Sequence, residues 1–256
     1  MAGGGSSGTT GGRITVWMAG DSTMADDGGT TCPIGWGTQF QPLFKSTVTV
    51  ANNAKAGTSI NSWLYTPLST KGASGDCDLT LDGSGKPALQ ARWQNTLDGM
   101  KAGDFLLIEF GINDGGSCPR FETDAGFKSS LGMMAQAAKD RGATPIFLTP
   151  TSSISCSGAT AQGTRGRFVT DTIDAGTQFG VQVVNVHQLT VDLYNASMFC
   201  PLADGATDVS ASTGGPAGAF FCDDHTHFDM AGAVRIAQLV ATAFRTQGLP
   251  IAAYLN

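Results

Sequence analysis

The stretch RITVWMAGDSTMAD, residues 13–26, places a polar turn directly after an apolar run. The run is rich in β-branched and aromatic residues, which is typical of a strand buried on both faces. Gly20 ends it, and Asp21, Ser22 and Thr23 follow. These three side chains favour turns and helix N-caps, because their oxygens accept hydrogen bonds from free N–H groups. A serine at the exposed end of a strand can also act as a nucleophile, so two interpretations of Ser22 remain open.

Apolar runs of the same kind recur along the chain, with helical stretches between them. The predicted strands are 14–19, 48–52, 105–110, 144–149 and 181–186. The predicted helices are 35–44, 87–100, 125–141, 162–179 and 230–245. This alternation is typical of a parallel sheet covered on both faces. We expect a single doubly wound domain over residues 13–256, preceded by a flexible leader, MAGGGSSGTTGG, at residues 1–12.

The composition excludes several classes of protein. Of the 256 residues, 41% are hydrophobic and only 14% are charged, which indicates a compact globular chain. The formal net charge is -6, and the 15 Lys and Arg residues form no basic cluster. Because binding to nucleic acids and anionic membranes depends on basic patches, we expect neither as a partner.

Six cysteines are present, at positions 32, 77, 118, 156, 200 and 222, and no two of them form a C-x-x-C pair. Zinc ribbons and thioredoxin-like redox sites need closely spaced thiolates, so neither is expected. An even number of widely spaced cysteines favours disulfides formed in an oxidising compartment. The sequence therefore predicts a secreted protein.

Three further polar stretches occur at strand ends or before the last predicted helix. They are NNAKAGTSINSW (52–63), EFGINDGG (109–116) and CDDHTHFDMAGA (222–233). Nucleophilic acyl transfer needs a serine, a base, a group that orients the base, and N–H donors for an oxyanion. Ser22, His227 and Asp224 can supply the first three, because one turn brings a carboxylate at position 224 to the ring at position 227. Gly57 and Asn113 can supply donors.

Each of these motifs taken alone is explained by a turn or a helix cap. Two other histidines compete with His227 as the base: His187 follows the fifth strand, and His225 lies two residues away. Asp223 competes with Asp224 as the partner of the base. The order of the four motifs and their shared place at strand ends favour a functional site.

Two further interpretations concern carboxylates and tryptophans near the same edge. Asp21 and Asp114 could form the carboxylate pair of a glycoside hydrolase, although turns also favour aspartate at both positions. Trp36 and Trp63 could stack on sugar rings, although tryptophan is more often buried in a core.

The motifs GDS (20–22), Gly57, GIND (111–114) and DHTH (224–227), in this order, resemble those of the SGNH (GDSL-type) hydrolases. The stretches AGDSTMA, GWG, AKAGTS, EFGINDGG and DHTHFDMAGA are most similar to the rhamnogalacturonan and xylan acetylesterases of that superfamily. The similarity extends from about residue 15 to residue 245. It implies a flavodoxin-like three-layer α/β/α sandwich around a five-stranded parallel sheet.

The resemblance also implies a role for each site residue. Ser22 would be the nucleophile, His227 the base and Asp224 its partner, with the N–H of Ser22, Gly57 and Asn113 forming the oxyanion hole. No metal and no cofactor are implied. The implied function is a secreted serine esterase that releases acetyl groups from plant cell-wall polysaccharide (rhamnogalacturonan, pectin or xylan) through an acyl-enzyme.

Acetylated polysaccharide or oligosaccharide is thus the expected partner, and the expected state is a monomer. Two alternatives remain: a GDSL-type lipase, lysophospholipase or broad short-chain esterase, and a catalytically inactive carbohydrate-binding protein. For strands in the order 2-1-3-4-5, neighbouring loops predict the disulfides Cys32–Cys77, Cys118–Cys156 and Cys200–Cys222. Residues 66–86 and 200–222 are expected to be long loops beside the substrate cleft.

Overall fold

The computed structural model describes residues 13–202, 217–222 and 224–256, so the predicted leader at 1–12 lies outside the described residues. Its centre is a five-stranded parallel sheet in the order β2-β1-β5-β6-β9. These strands are β1 (Ile14–Gly20), β2 (Val48–Asn52), β5 (Phe105–Glu109), β6 (Thr144–Leu148) and β9 (Gln182–Val184). All five predicted strands are present, and the fifth is shorter than predicted.

The side chains of the central strand β5 alternate between two hydrophobic clusters. Phe105 and Leu107 belong to one cluster, and Leu106 and Ile108 belong to the other. This alternation follows from the two-residue period of a strand. A sheet with two apolar faces requires helices on both sides.

The helices that cover the sheet are α1 (Ile60–Leu64), α2 (Ala91–Gly99), α3 (Asp124–Lys139), α4 (Gly166–Phe179), α5 (Val186–Ala196) and α6 (Met230–Thr246). Helices α5 and α6 contribute Tyr194 and Ile236 to the first cluster. Helices α2 and α3 contribute Trp93 and Phe127 to the second. The predicted three-layer α/β/α sandwich is therefore confirmed.

One predicted helix, residues 35–44, is wrong. The structure has two short 3-10 turns there, Trp36–Gln39 and Gln41–Leu43. Gly35 packs so closely on the chain that a Cβ added to it would lie 2.1 Å from the carbonyl oxygen of Ala25. The segment is shaped by this close approach and by Pro42 rather than by helical periodicity.

Several elements of the structure were not predicted from the sequence. Asn185 accepts a hydrogen bond from the N–H of Gln188 and so starts α5 directly after β9. The predicted loop 66–86 contains an antiparallel hairpin, β3 (Pro67–Lys71) with β4 (Cys77–Leu79). A smaller hairpin, β7 (Cys156–Ser157) with β8 (Thr160–Ala161), lies before α4. A 3-10 turn, Pro250–Tyr254, closes the chain.

All three predicted disulfides are wrong. The observed pairs are Cys32–Cys222, Cys77–Cys118 and Cys156–Cys200. The prediction assumed that each loop bonds to the loop of a neighbouring strand or to itself. Instead, the loop that follows β1 runs beside the segment before α6, where the N–H of Ile34 donates to the carbonyl of Phe228 at 2.8 Å.

The other two pairs follow from the hairpins. Strand β4 packs against the turn that follows β5, since the Sγ of Cys77 lies 3.1 Å from the carbonyl of Phe121. Strand β8 is fixed to α5, because the N–H of Ala161 donates to Asn195 at 2.8 Å.

Among the residues described, no helix is both long and apolar enough to cross a membrane.

Candidate active site

Three of the predicted residues form one chain of hydrogen bonds at the carboxyl edge of the sheet. The Oγ of Ser22 lies 2.7 Å from Nε2 of His227. The other ring nitrogen of His227, Nδ1, contacts Oδ2 of Asp224. This is the connectivity of a nucleophile, a base and an orienting carboxylate.

The segment that carries His227, residues 224–228, is called the histidine loop below. The Oδ1 of Asp224 accepts the backbone N–H groups of Thr226 at 3.0 Å and His227 at 2.9 Å. Although partial burial raises the pKa of Asp224, these hydrogen bonds and that of the His227 ring bring it below its usual value. Asp224 is therefore ionised at neutral pH and can stabilise a protonated His227 ring.

Ser22 lies in a turn built by Asp21. The Oδ1 of Asp21 accepts the N–H of Thr23 at 3.0 Å and its hydroxyl at 2.9 Å. The carbonyl of Asp21 accepts the N–H of Ala25 at 3.0 Å. Asp21 is fully buried while Ser22 is partly exposed, so the turn presents the serine to the surface. Asp21 is thus placed as a structural residue of this turn.

The other two candidate oxyanion donors, Gly57 and Asn113, lie on the loops that follow β2 and β5 at the same edge of the sheet. Nδ2 of Asn113 donates to the carbonyl of Thr58 at 3.0 Å, which places Asn113 next to Gly57. Gly57 is exposed and has a φ of 75°, a conformation that favours glycine. In the part of the chain that the structure describes, the N–H groups of Ser22 and Gly57 donate no hydrogen bond, so both are available to a ligand.

The buried Asp114 side chain joins the loop that carries Gly57 to the loop that carries Asn113. Its Oδ1 accepts the N–H of Ile60, and its Oδ2 accepts the N–H of Gly111, both at 2.8 Å. The N–H of Lys55 donates to the carbonyl of Gly20 at 2.9 Å, which fixes the Gly57 loop to the strand that leads to the serine. The predicted nucleophile and donors are therefore on connected loops.

A group of buried carboxylates lies directly beneath the site. Burial raises the pKa of Asp21 to about 6, against the hydrogen bonds from Thr23. Burial and the nearby Asp21 carboxylate raise the pKa of Glu109 to about 8. Burial and repulsion from Asp21 likewise raise the pKa of Asp114 to about 7. Because Asp21 and Asp114 are 0% exposed, neither can reach a substrate as a glycosidase acid.

Sequence reasoning missed Glu109. Its Oε1 accepts the N–H of Thr151 at 3.2 Å, and its Oε2 accepts the indole N–H of Trp36 at 2.9 Å. A charged residue at the end of the apolar strand FLLIE was the available signal, since buried carboxylates need several donors. Glu109 thereby connects the ends of β5 and β6 to the segment that follows Ser22.

Among the described residues, neither of the two competing histidines forms a hydrogen bond with Ser22, whereas His227 does. Nε2 of His187 lies 2.6 Å from the carbonyl of Thr164. Nε2 of His225 is buried and has no hydrogen-bond partner among the described residues. Asp223 lies outside the described residues. Trp36 and Trp63 are both 0% exposed, so neither can stack on a sugar.

A small cavity beside His227 opens to the surface. A cavity of about 270 Å³ is lined by Cys32, Pro33, Cys222, Asp224 and His227. The Cys32–Cys222 disulfide thus forms one wall of the cavity beside His227. Within the described ranges, no group of three or more His, Cys, Asp or Glu side chains could hold a metal ion.

Curated relatives share most of the length of this chain. A rhamnogalacturonan acetylesterase of Bacillus subtilis is 29% identical over 94% of this chain and 94% of its own length. A rhamnogalacturonan acetylesterase of Emericella nidulans is 27% identical over 93% of this chain and 87% of its own. No protein-family model matches the chain.

Solved structures share the fold at low identity. A Bacillus subtilis protein from structural genomics has a TM-score of 0.69 at 19% identity, covering 93% of this chain; this chain spans only 58% of that longer one. An acetylxylan esterase of Geobacillus stearothermophilus has a TM-score of 0.53 at 12% identity, covering 92% and 94%. A GDSL-like lipase of Parabacteroides merdae scores 0.55 at 13% identity, covering 91% and 95%.

These comparisons confirm the resemblance to SGNH (GDSL-type) hydrolases and the fold that it implies. They also agree with the predicted enzyme class, because acetylesterases are carboxylic ester hydrolases.

Proposed function

We propose that this chain is a serine esterase that removes acetyl groups from an acetylated polysaccharide of the plant cell wall. The observation that supports it most is the 2.7 Å contact between Ser22 Oγ and His227 Nε2, with Asp224 on the far side of the ring. A serine hydroxyl is a weak nucleophile unless an adjacent base removes its proton. The chain has such a base in place before any substrate binds.

The first half of the reaction forms an acetyl-enzyme. Ser22 Oγ attacks the acetyl carbonyl carbon, and its proton passes to Nε2 of His227. The carbonyl electron pair moves to the oxygen, which the N–H groups of Ser22 and Gly57 and the free amide hydrogen of Asn113 stabilise. The intermediate then collapses, and the departing sugar oxygen takes the proton from His227.

The second half regenerates the serine. A water molecule loses a proton to His227 Nε2 as its oxygen attacks the acetyl carbonyl carbon. Collapse of this second intermediate releases acetate, and the proton returns to Ser22 Oγ. Asp224 remains ionised throughout and stabilises the positive charge on the ring in both halves.

The proposed substrate class is supported by the relatives named rhamnogalacturonan acetylesterase. Ser22 and His227 are both partly exposed at the carboxyl edge of the sheet, so a large substrate can reach them. A polymer would therefore lie across this edge of the sheet and present an acetyl ester to Ser22.

The proposed setting is extracellular, with the chain acting as a monomer of one domain. Three disulfides, among them Cys32–Cys222 beside the base, support an oxidising compartment. The formal net charge is -6, which does not favour nucleic acid or an anionic membrane surface as a partner.

The test is acetate release from acetylated rhamnogalacturonan, pectin and xylan, with the Ser22→Ala protein as a matched control. We expect release from at least one of the three by the native chain and none by the control. Release that is equal in both proteins would contradict the proposal.

A second assay compares p-nitrophenyl acetate with the octanoate. An acyl groove gains about 0.8 kcal/mol for each buried CH₂ group, so kcat/KM would rise with chain length in a lipase. We expect the acetate to react faster. The opposite order would favour the lipase alternative, and carbohydrate binding without hydrolysis would favour the inactive binding protein.

A further inference from the structure

The histidine loop rests on a second loop, residues 149–165, which is called the backing loop below. Three contacts join them. The N–H of Ile154 donates to the carbonyl of His225 at 2.8 Å. The hydroxyls of Ser153 and Thr226 lie 2.8 Å apart. Nη2 of Arg165 donates to Thr226 Oγ1 at 3.2 Å and also contacts Ser153 Oγ.

Arg165 is the one charged side chain among these contacts. Burial lowers the pKa of its guanidinium, while the Asp21 and Asp224 carboxylates act in the opposite direction. These carboxylates belong to the serine turn and to the histidine loop. Their negative charges act on a guanidinium that is largely buried, where charges are weakly screened.

The backbone on both sides of this contact is strained. Among the described residues, three that are not glycine have a positive φ, namely Arg165 at 68°, His225 at 63° and Met198. The first two flank the contact between the backing loop and the histidine loop. Such conformations persist only where surrounding contacts enforce them, and they cluster at functional sites.

We propose that Arg165 is a positioning residue, which holds Thr226 so that the histidine loop keeps His227 aligned between Asp224 and Ser22. The proposal rests on the function proposed above. The path is short: Arg165 donates to the Thr226 hydroxyl, and the Thr226 N–H donates to Oδ1 of Asp224 at 3.0 Å. Arg165 contacts no reacting atom and acts through Thr226.

The contacts of the Arg165 guanidinium explain how this residue joins the two loops. One guanidinium nitrogen reaches two hydroxyls, on Ser153 and on Thr226, and so fixes one loop against the other. Lysine would keep the positive charge but has a single flexible donor head. Lysine at position 165 should therefore retain part of the effect, and an uncharged side chain should retain none of it.

The test measures kcat and KM for p-nitrophenyl acetate in Arg165→Met, Arg165→Lys, Thr226→Val and the Arg165→Met/Thr226→Val double variant. Small misplacements of reacting groups cost up to about 10²-fold in rate, so we expect kcat of Arg165→Met to fall by about that factor, with KM unchanged. Arg165→Lys should lose less. The double variant should lose no more than the worse single variant, because both changes break one path.

Arg141→Met is the matched control. Arg141 is likewise a partly buried arginine that joins two segments, through the backbone carbonyls of Leu97 and Ala137, but it lies just before β6 at the opposite edge of the sheet. Its loss should lower the melting temperature without changing kcat. If kcat falls equally in Arg165→Met and Arg141→Met, Arg165 only stabilises the fold. That result would overturn the proposal.

A spectroscopic measurement separates this proposal from the proposed function. The proton shared by His227 Nδ1 and Asp224 should give a strongly deshielded NMR resonance in the native chain. We expect Arg165→Met to broaden it or shift it upfield, and Arg141→Met to leave it unchanged. If the native chain hydrolyses no acetate ester, the proposed function fails while this resonance still tests the alignment. An unaltered resonance together with native kcat in Arg165→Met, or additive losses in the double variant, would contradict the proposal.

Discussion

His227 Nε2 lies 2.7 Å from Ser22 Oγ although 205 residues separate the two along the chain. Ser22 follows β1, and His227 precedes α6. Two links bring these segments together: the Ile34 N–H donates to the Phe228 carbonyl at 2.8 Å, and a disulfide joins Cys32 to Cys222. The fold itself therefore brings the proposed base to Ser22.

Removing this base should abolish most of the activity. We expect His227→Ala to lower kcat for p-nitrophenyl acetate by about 10³-fold or more. Asp224→Asn should have an intermediate effect, because it leaves the base and removes its orienting charge. His187→Ala is the control and should retain most of the activity, since its ring contacts the Thr164 carbonyl instead. A His187→Ala loss as large as that of His227→Ala would refute the assignment.

Asn113→Ala tests the oxyanion donor. The Asn113 amide gives one hydrogen to the Thr58 carbonyl, which leaves the second free to stabilise an oxyanion. We expect kcat to fall by about 10²-fold with little change in KM, because the bond strengthens only in the transition state. A large rise in KM at constant kcat would instead assign Asn113 to ground-state binding.

Stability should fall as the pH rises from about 4 to about 8. The pKa values of Asp21, Asp114 and Glu109 are raised by burial, to about 6, about 7 and about 8. Between the ordinary carboxyl pKa and these values, the folded state binds more protons than the unfolded state. Raising the pH then favours unfolding, and the melting temperature should decline across this interval.

Asp21→Asn is the matched variant for the pH experiment. Asparagine keeps the Oδ1 acceptor for Thr23 and removes the charge that raises the pKa of both Glu109 and Asp114. The decline in melting temperature should become shallower in this variant. The account of the carboxylate group fails if both proteins show the same slope, or if the melting temperature rises with pH.

The three disulfides should not contribute equally to stability. Cys32–Cys222 closes a separation of 190 residues, whereas Cys77–Cys118 closes 41. In the chain-entropy description, the longer loop stabilises the fold by about 1 kcal/mol more. We expect urea unfolding of Cys32→Ala/Cys222→Ala to show the larger loss in free energy of unfolding. A larger loss in Cys77→Ala/Cys118→Ala would contradict this order.

The sheet could be predicted because its strands are encoded locally. FLLIE and TPIFL are continuous apolar runs of a kind that buried parallel strands require. The segment 35–44 has the apolar content of a helix, but Gly35 and Gly37 pack against the backbone of Ala25 and Met24. That contact depends on the position of another segment, so local periodicity does not reveal it.

The candidate site was predictable for a related reason, and the disulfides were not. Ser22, Gly57, Asn113 and His227 all lie in short motifs next to recognisable elements. The pairing of Cys32 with Cys222 depends on which loops meet in space. Arg165 gives no local signal either, since its partners, Ser153 and Thr226, are 12 and 61 residues away.

The most direct test of the account is covalent labelling of the nucleophile. A serine-reactive phosphonate is added to the native chain and to Ser22→Ala, and the modified peptide is identified by mass spectrometry. We expect one phosphonyl group on Ser22 in the native chain, none in the variant, and loss of esterase activity in proportion to labelling. Labelling at a different residue, or an active Ser22→Ala protein, would contradict the central claim that Ser22 is the nucleophile.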